Sequence, residues 1–360
     1  MSLFFRASTA VSHSGSPREF FAAPSVTSAS VTPGSSLVGS EAFSHCPTLT
    51  AVSLPDGVIE IGFAAFLGAG LERVRLPRTL ARVGEGAFKD CGRLREVEFE
   101  RGPGGGPGKG TGGKPGEAGE GLPPPKAPPK APPSEKSPPK KSPARGKIHM
   151  EVSSMQLCGG GVSSLGARAF QNCSSLLAFA VPPGVSRVPA SLLSGCTALA
   201  ALTFHAGVTE LGARAFEECE ALETLVVPQK VTALPEYVFR GCSSLLPTLH
   251  PAIASIGEFA FAGTPIRSFS VPPATGAVAR CALAGCPKLR SVELHAGVRE
   301  IGDYACFNCP ELERVEISAT AFKGCGRLEG GAREEGYGED VAGYVRAMLG
   351  CREEEAEGET

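Results

Sequence analysis

One set of residues returns along this chain every 22 or 23 positions. A sequence with such a period is expected to fold as a stack of like units, not around one central core. The markers are Cys46, Cys91, Cys173, Cys196, Cys219, Cys242, Cys286 and Cys309. From Cys173 to Cys242 the steps are 23, 23 and 23. Thr264 fills the frame between Cys242 and Cys286 in steps of 22, and Ala69 fills it between Cys46 and Cys91 in steps of 23 and 22. Ten frames are visible, with a truncated eleventh at Ala321-Phe322-Lys323-Gly324-Cys325.

Around each of these anchors the other positions follow one rule. Three residues before the anchor stands Phe (Phe43, Phe66, Phe88, Phe170, Phe216, Phe239, Phe261), replaced by Leu193, Leu283 and Cys306 in three frames. Ala usually precedes it, and Gly stands seven before the anchor at Gly39, Gly62, Gly84, Gly166, Gly212, Gly257 and Gly302. Three after the anchor comes Leu, then alternating apolar residues and often Pro, as in Val52-x-Leu54-Pro55 and Leu225-x-Val227-Pro228. That alternation reads as a strand with one buried face, and Pro ends it because it cannot continue a ladder. The Gly is expected to permit a tight bend. Ala-Phe-x-x-Cys is expected to form a short turn, helical or 3₁₀, that drops a ring and a thiol inside. No unit of this size buries its own apolar face, so stability must come mostly from neighbouring units.

These residues resemble the BspA-like class of leucine-rich repeats, whose motif is close to I-G-x-x-A-F-x-x-C-x-x-L-x-x-V-x-I-P. The clearest matches run from Ile61-Gly62 through Pro77, from Leu211-Gly212 through Pro228 and from Ile256-Gly257 through Pro272. The resemblance covers residues 31–100 and 150–328 in two blocks. It implies an α/β fold, a right-handed solenoid of about ten repeats with a parallel sheet on one face. Members of that class are mostly surface or adhesion proteins, or interaction domains attached to others.

Thirteen cysteines invite a disulfide or metal reading, but Thr264 and Ala69 stand in for the anchor, which neither a ligand nor half a disulfide would allow. The anchors therefore read as small buried hydrophobes. Cys306-x-x-Cys309 has the spacing of half a zinc site, yet both residues occupy repeat positions that point inward and no second pair completes four ligands. Cys158, Cys281 and Cys351 fall outside the anchor position, with Cys351 the thiol expected to be exposed. His205, His250 and His295 recur near strand ends on different repeats and read as drift in the repeat. No metal, cofactor or catalytic residue is expected, and the glycine-rich run at 102–113 lacks the following helix that a phosphate cradle needs.

Residues 101–149 break the array. Gly-rich and then Pro/Lys-rich, they carry ten Lys and Arg against three Glu, cannot bury enough apolar surface to fold and favour polyproline II in their proline stretch. Ser137 and Ser142, each followed by Pro, are candidate phosphorylation sites. Residues 329–360 form an acidic tail in which Val341, Tyr344, Val345, Met348 and Leu349 share one face of a possible capping helix. Residues 1–30 are expected to be a disordered segment. No apolar run approaches the roughly 20 residues a membrane helix needs, and no signal-peptide pattern opens the chain. A soluble, cytoplasmic protein is the expectation, with the extracellular surface as the alternative.

The variable strand positions should line the exposed sheet face. They are charged in the end repeats (Arg73, Arg75, Glu96 and Glu98; Arg290, Glu293, Arg314 and Glu316) and mostly apolar between them. Leu177, Ala178, Ala180, Ala200, Ala201, Thr203, Thr224 and Val226 make that central stripe, an exposed apolar patch with a polar rim. The expectation is a non-enzymatic scaffold that binds a protein partner there, with cell-surface adhesion as the alternative. Mixed face charges give no support to specific nucleic-acid binding.

Overall fold

The structure, a computed structural model, describes residues 9–100, 161–317 and 345. Two sets of parallel strands run through the repeats. Three- to six-residue strands, among them Val26–Val31, Ala51–Ser53, Arg73–Leu76, Ala178–Ala180 and Arg314–Ile317, build one face. Two-residue strands, from Leu37–Val38 and Glu60–Ile61 to Glu300–Ile301, build another. Every recorded pairing joins coils that are neighbours in the stack, as in Ser28↔Ala51 and Glu60↔Arg82. The array also continues across the long insertion. Arg82 pairs with Ser164 and Val83 with Leu165, so residues more than 80 apart in sequence lie on adjacent coils. Residues 101–160, which include the expected insertion with Ser137 and Ser142, lie outside the described residues.

The core is a column of anchors. Phe43, Phe66, Phe88 and Phe170 stack at centroid distances of 5.3, 5.1 and 5.3 Å, with planes within 7° of parallel. The column breaks where Leu193 replaces Phe, and resumes as Phe216, Phe239 and Phe261 at 5.8 and 5.7 Å. Strand residues lean in around the gap, Phe179 onto Phe170 and Phe204 onto Phe216. Such ring pairs add about 0.5–1.5 kcal/mol each beyond the area they bury.

The Ala-Phe-x-x-Cys segments are not helical. No helical element occurs among the described residues, apart from Val345, which alone of the tail is described and lies helical and fully buried. Each segment is a run of β-turns, as in Ala87 N–H to Gly84 O, Lys89 N–H to Gly86 O and Cys91 N–H to Phe88 O. Two residues per coil sit in the left-handed region, five and one before the anchor. In one coil these are Arg168 and Asn172 (φ 58° and 58°), in another Arg214 and Glu218 (58° and 59°). A positive φ at the third residue is what a type II turn requires, and it stops a helix from propagating. The N–H groups then point at the next coil. Gly86, Phe88 and Asp90 donate to the carbonyls of Ala167, Ala169 and Gln171 at 2.9, 2.8 and 2.8 Å, and the same three positions repeat in coil after coil.

The recurrent glycine also differs from expectation. Gly166 and Gly212 do not have positive φ. A Cβ there would stand 2.3 Å from Glu85 N and 2.4 Å from Ala190 N, so the position is one of close backbone approach between coils, not of bending.

The N-terminal boundary is a third correction. Residues 9–30 are part of the stack, not disordered. Thr9–His13 pairs with Val26–Val31, and Phe20 stacks on Phe43 at 5.4 Å. Phe20 and Ala23 occupy the Phe and anchor positions of a further coil. At its edge His13 is fully buried, accepts the Gly39 N–H at Nε2 (3.1 Å) and meets Glu19 through Nδ1.

Backbone geometry therefore predicts opposite outcomes for two neighbouring positions. Gly212→Ala forces coils apart and should cost about 1–3 kcal/mol. Glu218→Gly relieves about 1–2 kcal/mol of left-handed strain, partly offset by unfolded-state entropy, so thermal melts should show an unchanged or raised midpoint.

Candidate interaction surface

On the long-strand face the side chains at alternate positions leave the core. In the strands Ala178–Ala180 and Ala201–Thr203 the register sets Ala178 beside Ala201 and Ala180 beside Thr203, with Phe179 and Leu202 inward. In Thr224–Val226 and Leu246–Thr248, Thr224 lies beside Leu246 and Val226 beside Thr248. Leu177 and Ala200 sit one residue ahead of their strands, at the edge of the same face, and the N–H groups of both Ala200 and Ala201 reach Leu177 O. Val226 is 66% exposed, Leu246 55% and Leu177 45%.

All eight residues expected on this stripe thus lie at the surface or half-buried beneath it. No pairing joins Ala201–Thr203 to Thr224–Val226, so the stripe consists of two two-stranded patches on consecutive coils and not one continuous ladder. Leu246 and Thr248 extend it into a fourth coil. Strict alternation from the anchor would place Leu249 outward and Thr248 inward. The register with Val226 turns Thr248 out and sets Pro247 opposite the buried Leu225.

Charge borders the stripe. Arg73 faces Glu96 at 3.5 Å and Arg75 reaches Glu100 at 2.9 Å on one side, while Arg290 meets Glu311 at 3.0 Å on the other. Exposed pairs of this kind contribute about 0–1 kcal/mol.

The anchor thiols prove to be more than small hydrophobes. Cys91 Sγ donates to Phe66 O at 3.1 Å, Cys196 to Phe170 O at 3.2 Å, and Cys242 to Phe216 O at 3.1 Å. Each thiol links its coil to the carbonyl of the preceding Phe. Thr264 bonds within its own coil, to Phe261 O. Burial pushes the Cys91, Cys196 and Cys242 thiols up to about 12, and those of Cys173 and Cys219 well above their ordinary value. All ten described cysteines are free, and only Cys309 is partly exposed.

The three recurring histidines have a structural task as well. His205 Nε2 lies 3.0 Å from Val185 O, and its Nδ1 accepts the Gly207 N–H at 3.0 Å. His295 repeats this with Pro272 O and Gly297 N–H, and His250 bonds Pro228 O. The bond to a carbonyl identifies Nε2 as the protonated nitrogen. Each imidazole thus ties a strand end to the preceding coil. Among the described residues no group of three His, Cys, Asp or Glu is placed to hold a metal. No described helix is long and apolar enough to cross a membrane.

The family described as BspA type leucine-rich repeat region matches in six copies, at residues 16–102, 151–246 and 254–329. No curated protein matches the chain. Among solved structures, a leucine-rich cell surface protein from Faecalibacterium prausnitzii A2-165 is similar at 21% identity over 85% of this chain, with a TM-score of 0.44. This chain spans 65% of that protein's length. A leucine-rich repeat protein from Bacteroides ovatus ATCC 8483 aligns at 16% identity over 89% of each chain, with a TM-score of 0.46. The leucine-rich repeat protein of T. pallidum aligns at 20% identity over 60% of this chain and 78% of its own, with a TM-score of 0.41.

A thiol whose pKa stands higher in the fold than in the unfolded chain stabilises the fold below the unfolded value of 9.0, and that stabilisation is lost as pH rises toward 12. The melting midpoint should therefore fall steeply above pH 9. Iodoacetamide at pH 8, mapped by mass spectrometry, should leave Cys91, Cys173, Cys196, Cys219 and Cys242 unmodified until the chain is unfolded.

Proposed function

The chain belongs to the BspA-type leucine-rich repeat family, and from that premise we propose that it is a non-enzymatic scaffold that binds a protein partner through its long-strand face. The observation that carries this reading is the exposed apolar stripe on four consecutive coils, from Leu177 to Thr248, with ion pairs at its borders. Contiguous exposed apolar surface with a polar rim is a common mark of an interaction site.

The composition of the stripe suits that role. Ala178, Ala201, Thr224 and Val226 have few rotamers or none, and their backbone is held in parallel ladders. A partner that settles on them immobilises little that was free, and immobilising side chains is a main cost of association. The charged borders would set register and approach. The buried thiols and the backbone-bonded histidines are engaged in linking coils, which takes both groups out of nucleophilic and acid–base chemistry and supports a binding role over a catalytic one.

The test compares the full chain with a variant carrying Ala178→Glu, Ala201→Glu and Thr224→Glu, both checked for fold by circular dichroism. Proteins held by the native chain in a quantitative pull-down should fall about tenfold or more with the variant, since a carboxylate buried in an interface is strongly unfavourable. Equal recovery by both would contradict this face as the site.

A further inference from the structure

A second surface lies on the turn side, among the left-handed positions five before each anchor. In five consecutive coils these are Arg214, Tyr237, Phe259, Cys281 and Tyr304, at φ of 58°, 57°, 52°, 53° and 60°. Glycine takes this conformation without strain, as Gly86 does in another coil; bulky side chains there are uncommon and costly. The rings at this position lie outside the main Phe column: Tyr237 and Phe259 are half-buried on the turn side and Tyr304 is exposed. The turn ladder requires the conformation but not the rings, and large side chains held in it are a reason to look for a binding role.

The rings form an ordered column. The Arg214 guanidinium lies 4.1 Å from the Tyr237 centroid, and Tyr237 stacks on Phe259 at 4.9 Å with planes 9° apart. Beyond Cys281 stand Tyr304 and Phe307, 55% and 61% exposed and edge-to-face at 5.6 Å. Between the two aromatic groups the floor is small and apolar. Ala262, Cys281 and Ala284 form a cluster separate from the main core, with Phe259 against it. Gly241, Gly263 and Gly285 occupy the position before the anchor, where other coils carry Asp90 or Asn172. The neighbouring column is mostly acidic, with Glu236, Glu258, Arg280 and Asp303 all exposed. The three carboxylates have no ion-pair partner among the described residues.

These features restrict the occupant. The backbone N–H groups of Tyr237, Phe259 and Cys281 already donate to the next coil, which leaves no free ladder for an added strand. Three coil steps span about 15 Å, the length of about five residues of polyproline II, which needs no backbone partner. Aromatic-lined grooves take such segments at low entropic cost, and the acidic column complements a cation. We propose that the column from Tyr237 to Phe307 docks an extended, proline-rich, lysine- or arginine-bearing segment of a partner protein. This surface is separate from the long-strand face, and its occupation does not depend on that reading.

The test titrates a fluorescein-labelled peptide of repeated Pro-Pro-Lys triplets with the full chain and follows anisotropy. Saturable binding is expected, weakened about tenfold or more by Tyr304→Ser with Phe307→Ser. Glu258→Gln with Asp303→Asn should weaken it severalfold and flatten its salt dependence. Both pairs are exposed, and unchanged melts would confirm that the variants fold. Ala201→Glu on the other face should bind as the native chain does. Absence of saturable binding would overturn the proposal. Equal binding by the aromatic variant, or equal binding of a Pro-Pro-Glu peptide, would overturn it as well.

Discussion

Three backbone N–H groups leave each coil at its turn and end on carbonyls of the next, and the rest of the molecule is arranged to let them do so. In one coil they belong to Ala64, Phe66 and Gly68, in another to Arg214, Phe216 and Glu218. Donors can alternate with inward side chains only if the turn avoids a helix, hence the left-handed residues on either side of the Phe. At Gly166 and Gly212 the backbones of adjacent coils come within the distance a Cβ would occupy. The Phe column and the thiol bonds to Phe carbonyls then fill the space that this spacing fixes. A coil on its own would leave its turn donors unpaired and its ring exposed, so each depends on its neighbours.

This dependence also divides labour among the faces. The inward positions are committed to the core, mostly as Phe, Cys, Leu and Val, whereas the outward strand positions and left-handed turn positions such as Arg168 and Tyr304 face solvent. Both outward sets vary along the stack, from charged pairs such as Arg73 and Glu96 to the small apolar residues of Ala178–Ala180 and Ala201–Thr203. The turn side changes from Glu41 and Arg168 to Tyr237, Phe259 and Tyr304. Recognition can diversify there without disturbing the ladder beneath.

Much of this was legible in the sequence because the inward positions repeat by residue type. The period, the Phe column, the buried anchors and the outward stripe all follow from it. Other features escaped for physical reasons. The left-handed positions carry Arg, Glu, Tyr, Phe, Cys and Ser alike, since their backbone is held by the neighbouring coil and not by their own preference. The first coils were missed because Ala23 stands where Cys was sought, although Phe20 lies 23 residues before Phe43. Glycine was assigned to bending when its role is contact, a distinction that only the facing coil reveals. Leu246 was overlooked because its coil reads one residue short of its neighbour.

The claim on which the rest stands is that the turn ladder runs unbroken through the stack, including the junction where residues 101–160 intervene. Amide hydrogen exchange on the full chain tests it most directly. Gly86, Phe88 and Asp90 donate across that junction to Ala167, Ala169 and Gln171. Their amides should be as protected as those of Ala64, Phe66 and Gly68 one coil earlier. Fast exchange at Gly86, Phe88 and Asp90, with protection kept on either side, would mean two separate stacks and contradict the account.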